Sequence, residues 1–406
     1  MIHVIGLGLC PDHISPSARQ LIDSADILTG GERQLAMFPH ARGKRHPLVP
    51  NLDQTLEMLD QEDRTGAHVV VLADGDPLTY GIGTTLVRRL GRDRVRVLPN
   101  VSAPQTAAAR LGRGLGDLHL VSLHGRNDWA PLFASLTHHP LTGIFTDAEN
   151  SPARIARACL VQGMGHADGS PCVFHVFENL NDSQEQYARL TLEEAATMEN
   201  ASLSFVIIEQ PDFRPPRFGR PDSDFIHERG LITKSVVRAA GIAALGLEPD
   251  SLLWDLGAGC GSVSIEAATL LQQGSVFAVE AKPHRVAMIR ENIRKNRTWL
   301  VNPIQGEMPE ALADLPDPDR IFMGGGARDP RVLTTGLARL KPGGRLVIHA
   351  ILLETLETVR TTLKDHGLAW SLTQLAGSLS DPVAGATRLK PLNPVFIIRT
   401  DKPEHA

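Results

Sequence analysis

Cysteine is scarce in this chain: Cys10, Cys159, Cys172 and Cys260 are the only four in 406 residues, and no two form a CxxC pair. That usage excludes a disulfide scaffold and fits a reduced, cytosolic (cytoplasmic) protein. No run of about 18 or more apolar residues occurs, which excludes an ordinary membrane-spanning helix. There is no basic excess either. A formal charge of -5 argues against broad, sequence-independent binding to a phosphate backbone. The 16 histidines are scattered, with no HExxH, so no metal site is expected and His138-His139 reads as part of a solvated loop. The start, Met1-Ile2-His3-Val4-Ile5-Gly6, has no basic leader before a long apolar run, so no signal peptide is expected. The remaining composition, 42% hydrophobic and 21% charged, is that of a globular protein, and the length calls for two or three domains.

The most informative stretch is Leu252-Leu253-Trp254-Asp255-Leu256-Gly257-Ala258-Gly259-Cys260-Gly261. A short apolar run ends in an acid and a Gly-X-Gly-X-Gly turn, and a helical pattern with Val263, Ile265 and Ala268 follows. The reading is a buried strand, a tight loop and a crossover helix, with a ligand close to the loop backbone. The next strand, Val276-Phe277-Ala278-Val279-Glu280, ends in a carboxylate about 20 residues past the glycines, where an acid can accept from a ribose diol. Glycine spacing alone fits a dinucleotide almost as well. The acid before the first glycine and the small loop favour S-adenosylmethionine (SAM).

The clearest boundary is the proline- and arginine-rich segment after Gln210. Residues 1–210 and 222–406 are therefore expected as domains, with 211–221 as a semi-rigid linker. The apolar run 203–208 reads as the last strand of the first domain. The second domain alternates strand and helix, which implies a mostly parallel sheet. Asp329 and Pro330 start a helix by cap and first-turn proline, and Val395 to Ile398 is a late strand. The first domain is also α/β but laid out differently, as two lobes meeting near residues 103–116.

Other C-terminal segments suit a cofactor and a bulky substrate. Gly306-Glu307-Met308-Pro309-Glu310 follows a short strand, where Glu307 and Met308 can bracket an adenine. The triplet Gly324-Gly325-Gly326 leaves another strand, where a loop backbone can approach substrate. Upstream, Thr233 is placed to supply a hydroxyl to the cofactor. Lys234 and Arg238 lie four apart on one helical face, either to grip substrate carboxylates or as a solvated basic face. The Ile232-Thr233-Lys234 segment, Asp255 to Gly261, Gly306 to Glu310 and Phe322 to Gly326 occur in the order of the decarboxylating precorrin C15-methyltransferases. Residues 225–400 resemble that family.

The N-terminal half has glycine turns at Gly6-Leu7-Gly8-Leu9-Cys10-Pro11 and Leu28-Thr29-Gly30-Gly31-Glu32-Arg33. It also has Ala73-Asp74-Gly75-Asp76-Pro77 and Pro99-Asn100-Val101-Ser102-Ala103. Singly each is a turn; together they resemble the tetrapyrrole methylases, in the precorrin C5-methyltransferase branch. The resemblance implies a bilobal tetrapyrrole methylase fold, with SAM between the lobes at Asp74, Gly75, Asp76, Ser102 and Ala103. Two positions depart from that family. Leu9-Cys10 replaces Pro-Gly and is expected to narrow the first loop. Asn100 replaces a glycine, and asparagine tolerates left-handed backbone.

The two resemblances together imply a fused C5,15-methyltransferase (decarboxylating) acting on precorrin-6Y in cobalamin synthesis. Its second domain has the class I SAM-methyltransferase (Rossmann-like) fold, and one SAM binds per domain. Gly257, Ala258, Gly259, Cys260, Gly261 and Glu280 hold the second SAM. Carboxylate-bearing substrate lies near Lys234, Arg238 and the glycine triplet. The chemistry needs alignment of an activated methyl more than a strong nucleophile, and no metal or pyridoxal phosphate, so no side chain is assigned as proton donor or acceptor. The expected partners are a tetrapyrrole (precorrin) substrate and further copies of the chain, without nucleic acid or membrane. Two readings stay open beside this one: methylation of RNA, and a catalytically dead N-terminal domain kept for binding.

Overall fold

The computed structural model describes residues 1–48, 51–165, 172–199 and 204–404; Leu203 of the expected strand lies outside them. The first lobe is built on β1 (Ile2–Gly6), β2 (Ile27–Gly30), β3 (Lys44–Pro47), β4 (Val69–Ala73) and β5 (Val95–Leu98). They form a parallel sheet in the order β3-β2-β4-β1-β5. Every residue of β4, Val-Val-Val-Leu-Ala, is buried, as expected of a central strand covered on both faces. The second lobe contains β6 (His119–Ser122), β7 (Leu141–Phe145), β8 (Val173–Glu178), β9 (Gln186–Leu190) and β10 (Ser204–Glu209). Their order is β6-β7-β10-β8-β9, and all pairs but β6 with β7 are antiparallel. The expected two-lobed α/β layout is present, with helix Ala103–Arg110 at the passage between lobes.

The C-terminal half has β11 (Leu252–Leu256), β12 (Ser275–Glu280), β13 (Val301–Gln305), β14 (Arg320–Met323), β15 (Arg345–Ala350) and β16 (Trp370–Leu375). It ends with β17 (Ser378–Val383), β18 (Ala386–Pro391) and β19 (Val395–Asp401). Seven of these form one sheet, β13-β12-β11-β14-β15-β19-β16, parallel as far as β15. The order reverses direction beside β11, so the crevice for a ligand lies at the carboxyl ends of β11 and β14. β19 runs antiparallel to both β15 and β16, while β17 and β18 pair only with each other. Local signals place the helices well. Ser15 Oγ accepts from Ala18 N–H (3.2 Å) at the start of helix Pro16–Asp23. Asp329 accepts from Arg331 N–H (2.9 Å) before Pro330–Arg339.

The halves are joined by more than the linker. Gln210 ends the first half with its amide donating to Leu136 O (2.8 Å) and His139 O (3.1 Å). Arg220, near the linker's other end, donates its N–H to Glu266 (2.6 Å) in the second half. Between them one buried apolar cluster continues from Leu132, Leu136 and Cys159 of the second lobe to Leu271, Trp299 and Leu300. Polar bonds stitch its rim: Gln162 Nε2 donates to Val301 O (2.9 Å), and Trp299 N–H donates to Thr137 Oγ1 (3.0 Å). His138-His139 is part of this seam and not a solvated loop. His138 closes helix Ala130–His138 with Nε2 2.6 Å from Leu271 O, and the His139 ring stacks on His119 at 4.0 Å. Histidine is drawn inward here because Leu271 O, in a loop of the other half, needs a donor.

Trp299 is 3% exposed within the shared cluster. Trp299→Ala should destabilise the full chain by about 3–5 kcal/mol in denaturant titrations, the usual loss for a buried tryptophan. A loss below about 1 kcal/mol would be an exposed-site value and would show that the halves do not share a packed core.

Candidate functional site

In the first half a cleft of about 560 Å³ opens between the lobes. All five expected residues, Asp74, Gly75, Asp76, Ser102 and Ala103, lie on it, together with Leu9 and Cys10. Gly8 and Gly75 bond to each other across its floor, N–H to O at 3.2 Å one way and 3.0 Å the other, both with positive φ. Asp76 holds this floor: its carboxylate accepts from Leu78 N–H (2.8 Å), Thr79 Oγ1 (3.2 Å) and Asn100 N–H (3.2 Å). Asp74 stands at the mouth, half exposed, paired with Arg33 at 2.9 Å. Ser102 directs its N–H and hydroxyl to Gln105 Oε1, which closes the start of helix Ala103–Arg110.

Asn100 is not there for left-handed backbone, since its φ is not positive. Its amide instead donates to Gly6 O (2.8 Å) and His13 O (3.0 Å), so a side chain ties the loop after β1 to the loop after β5. The loop is tightened further by His13, whose Nδ1 accepts from Leu9 N–H at 3.3 Å. Sequence reasoning missed the contribution of the second lobe. Phe145 and Phe177 line the same cleft, and Tyr80 packs on Phe145 with its hydroxyl donating to Leu120 O.

The second cleft, about 680 Å³, sits at the carboxyl ends of β11, β14 and β15. Thr233, Lys234, Gly257, Ala258, Gly259, Cys260 and the Gly324-Gly325-Gly326 triplet all line it. Gly257 has φ +73, and a Cβ there would lie 2.8 Å from Gly325 Cα, so the two glycine loops touch backbone to backbone. Gly259 has φ +60 and a Cβ there would meet no atom within 4 Å, which leaves its face open to a ligand. Gly261 lies below the cleft wall, starting helix Ser262–Ala268 at φ +78 over Ile289.

Glu280 supports the loop from behind. Oε2 accepts from Gly259 N–H and Oε1 from Lys282 N–H, each at 3.0 Å, and each oxygen keeps a further lone pair. Glu307 and Met308 are likewise off the open wall, in the loop after β13, where the Met308 methyl packs against Gly326. Asp255 is buried and accepts from Ser264 N–H (3.1 Å) and the Ser264 hydroxyl, fixing the helix to its strand. Burial pushes its pKa up to about 6, with the neighbouring Glu280 adding to it and the Ser264 bonds opposing it. Burial also pushes the Cys260 thiol up, so it is no thiolate nucleophile.

Arg238 does not grip substrate. It is 0% exposed, and its guanidinium faces Glu266 at 3.1 Å and Asp222 at 3.3 Å. It also donates to Thr233 O and Arg220 O, both at 2.6 Å. The physical reason is Glu266: this carboxylate is itself fully buried on helix Ser262–Ala268 and requires a cation beside it. Arg238 therefore positions Thr233 and pins the linker. Lys234 does reach the cleft, although Asp222 pairs with it at 3.2 Å. Two further cleft residues escaped the sequence reading: Arg328, just past the glycine triplet and without an ion pair among the described residues, and His349 at the end of β15.

Residues 1–196 match the family model for tetrapyrrole (corrin/porphyrin) methylases, and residues 224–402 match that for the precorrin methyltransferase domain. A precorrin-6Y C(5,15)-methyltransferase [decarboxylating] of Sinorhizobium sp is 33% identical over 97% of this chain and 94% of its own length. The chain belongs to the precorrin-6Y C(5,15)-methyltransferase (decarboxylating) family. A cobalt-precorrin-7 C(5)-methyltransferase of Salmonella typhimurium is 40% identical over 41% of this chain and 81% of that protein. The crystal structure of a precorrin-6Y C5,15-methyltransferase from Geobacter metallireducens GS-15 aligns at 36% identity and TM-score 0.44, over 46% of this chain and 98% of that one. This member of the precorrin-6Y C(5,15)-methyltransferase family carries two separate clefts, one in each half of the chain.

Gly259→Leu should abolish SAM binding at the second cleft, because the new side chain enters the open space a ligand would use; the φ of +60 there adds only about 1–2 kcal/mol of backbone strain, which the fold survives. Glu280→Ala should weaken that binding by about 1.5–3 kcal/mol in calorimetry, the worth of a charge-assisted hydrogen bond. Undiminished affinity in both variants would place the cofactor elsewhere.

A second expectation concerns pH. Asp255 has its folded pKa raised to about 6. Its contribution to stability is full below the unfolded value of about 4 and is lost as pH rises through about 6. Asp255→Asn should flatten the fall in stability over that window, and an unchanged slope in urea titrations would contradict a protonated buried Asp255.

Proposed function

We propose that this chain methylates precorrin-6Y at C5 and C15 from SAM and removes carbon dioxide from an acetate side chain, in the synthesis of cobalamin. The observation that carries the reading is the presence of two glycine-walled clefts in one chain whose likeness to a decarboxylating C(5,15)-methyltransferase runs nearly end to end. A bulky sulfonium cofactor suits such walls, because the open face of Gly259 lets a ligand lie against backbone. One SAM per domain is the reading the two clefts support: Asp74 to Asp76 with Ser102 and Ala103 in the first, Thr233 with Gly257 to Cys260 in the second. Glu280, Glu307 and Met308 stand behind or beside the second.

SAM supplies an activated methyl group; the chain's own residues bind, orient and exclude water. Lys234 and Arg328 are the cations placed to meet the substrate's carboxylates in the second cleft. The backbone of Gly324 and Gly325, tied to Leu256 O at 3.2 and 3.3 Å, gives a flat substrate a wall without side chains. We assign C5 methylation to residues 1–210, and C15 methylation with decarboxylation to 222–406. Four free cysteines support a cytoplasmic setting. Association with further copies is supported by the exposed β17–β18 hairpin, which presents Leu379, Val383 and a 72% exposed Leu389.

The assignment is tested in the full chain by weighing products made from precorrin-6Y and SAM. Gly259→Leu is expected to add no more than one methyl group and to release no carbon dioxide. Asp76→Ala, which frees the floor of the first cleft, is expected to keep decarboxylation and lose the other methylation. Carbon dioxide release by Gly259→Leu at the parent rate would overturn the division of labour.

A further inference from the structure

Five side chains that carry charge or exchange a proton line the second cleft: Lys234, Asp255, Cys260, Arg328 and His349. Lys234 is paired with Asp222, Asp255 is bonded to Ser264, the Cys260 thiol is held protonated by burial, and an arginine does not titrate. Arg328 also lacks an ion pair but does not give up its proton, so among the described residues His349 is the proton-exchanging group left uncommitted. Its Nε2 is buried without a hydrogen-bond partner, and no described residue bonds its Nδ1. The ring stands edge-on to Phe322, two residues before the glycine triplet, with centroids 4.7 Å apart. Room for it comes from Gly241 inside helix Ser235–Leu245, where a Cβ would lie 2.4 Å from Nε2. An interior helical glycine costs about 1 kcal/mol against alanine, so this helix is weakened at the point where the imidazole sits.

We propose that His349 is a catalytic residue that carries a proton from the methylated bridge carbon to the acetate carbon left by decarboxylation. The proposal rests on the reading of residues 222–406 as the C15-methylating, decarboxylating domain. The balance of that reaction calls for such a carrier. Bond formation between C15 and the methyl group breaks the sulfonium carbon–sulfur bond and leaves a positive charge in the macrocycle. C15 then gives up its hydrogen as a proton, which neutralises that charge and restores conjugation. Loss of carbon dioxide breaks the bond between the acetate methylene and its carboxylate, and the methylene carbon takes the carried proton with the released electron pair to become a methyl group. One proton leaves and one arrives, so a base that becomes the acid closes the reaction without an oxidant, reductant or metal. Burial lowers the His349 pKa to about 4, which leaves the ring neutral; Nε2 is buried against Gly241, so Nδ1 is the nitrogen that accepts first. The same burial makes the imidazolium a ready donor afterwards.

The test uses single turnovers of the full chain with precorrin-6Y and SAM, reading released carbon dioxide and product mass, with SAM affinity by calorimetry. In His349→Gln, carbon dioxide release should fall by about 100-fold or more with SAM affinity little changed. In His349→Ala, added imidazole should restore part of the rate. With precorrin-6Y deuterated at the C15 bridge, the parent chain should place part of the label in the new methyl group. Three results would each overturn the assignment: parent-rate decarboxylation by His349→Gln, no imidazole rescue of a SAM-binding His349→Ala, or label lost wholly to solvent in the parent. A parent chain that releases no carbon dioxide would instead overturn the reading of the domain.

Discussion

In both halves a glycine-containing loop walls the cleft, and a carboxylate accepts the N–H groups that would otherwise be free to turn away. Asp76 does this for Leu78 and Asn100, and Glu280 for Gly259 and Lys282. A glycine loop suits a bulky ligand because nothing projects from it, but for the same reason it has little packing to hold its shape. Bonds from backbone N–H to an ionised oxygen are among the stronger neutral-to-charged contacts available. Glu280 acts from behind its loop, and Asp76 acts from the floor of its cleft. Aspartate or glutamate can fill this place; a hydrophobic residue cannot, because it would leave the loop N–H groups unpaired.

Arg238 shows how the same economy of charge misleads a reader of sequence. A lysine and an arginine four apart on a helix look like a surface grip or a solvated face. The fact that decides between these and the observed burial is Glu266, distant in sequence and fully buried. An ion pair of this kind gives little net stability over an apolar pair, yet losing either partner is costly. Here it gains a further consequence, since the guanidinium also holds Thr233 O at the cleft and Arg220 O at the linker. The linker's proline content was visible; that its last arginine is fastened to the second domain was not.

What could be read in advance was what neighbouring residues decide. Asp329 caps its helix, β11 runs into its glycine turn, and the loops of both clefts lie at strand ends, all from spacing along a few residues. What could not be read depends on approach in space. The antiparallel return of β19 between β15 and β16 is set by pairing between segments well separated in sequence, as in Arg345 with Asp401. Asn100 invited an argument from backbone preference, and its role proved to be two side-chain bonds to loops over 80 residues away in sequence. Arg328 and His349 carry no local mark at all, because what distinguishes them is the lack of a partner among the described residues in a cleft where Lys234 and Asp255 have one.

The seam between the halves completes the physical picture. The second lobe docks through Leu271 O and through Trp299 and Val301, which lie just before β12 and at the start of β13. Those points are at the amino ends of the C-terminal strands, whereas the second cleft opens at the carboxyl ends of the same sheet. Docking at one pole therefore leaves the other free, and the two clefts share no lining residue. Joining the halves does not merge their sites into one. A buried joint of this kind fixes how the two cleft-bearing units are held, through a core that neither half encloses alone, while each cleft keeps its own loop, its own carboxylate support and its own access for a macrocycle.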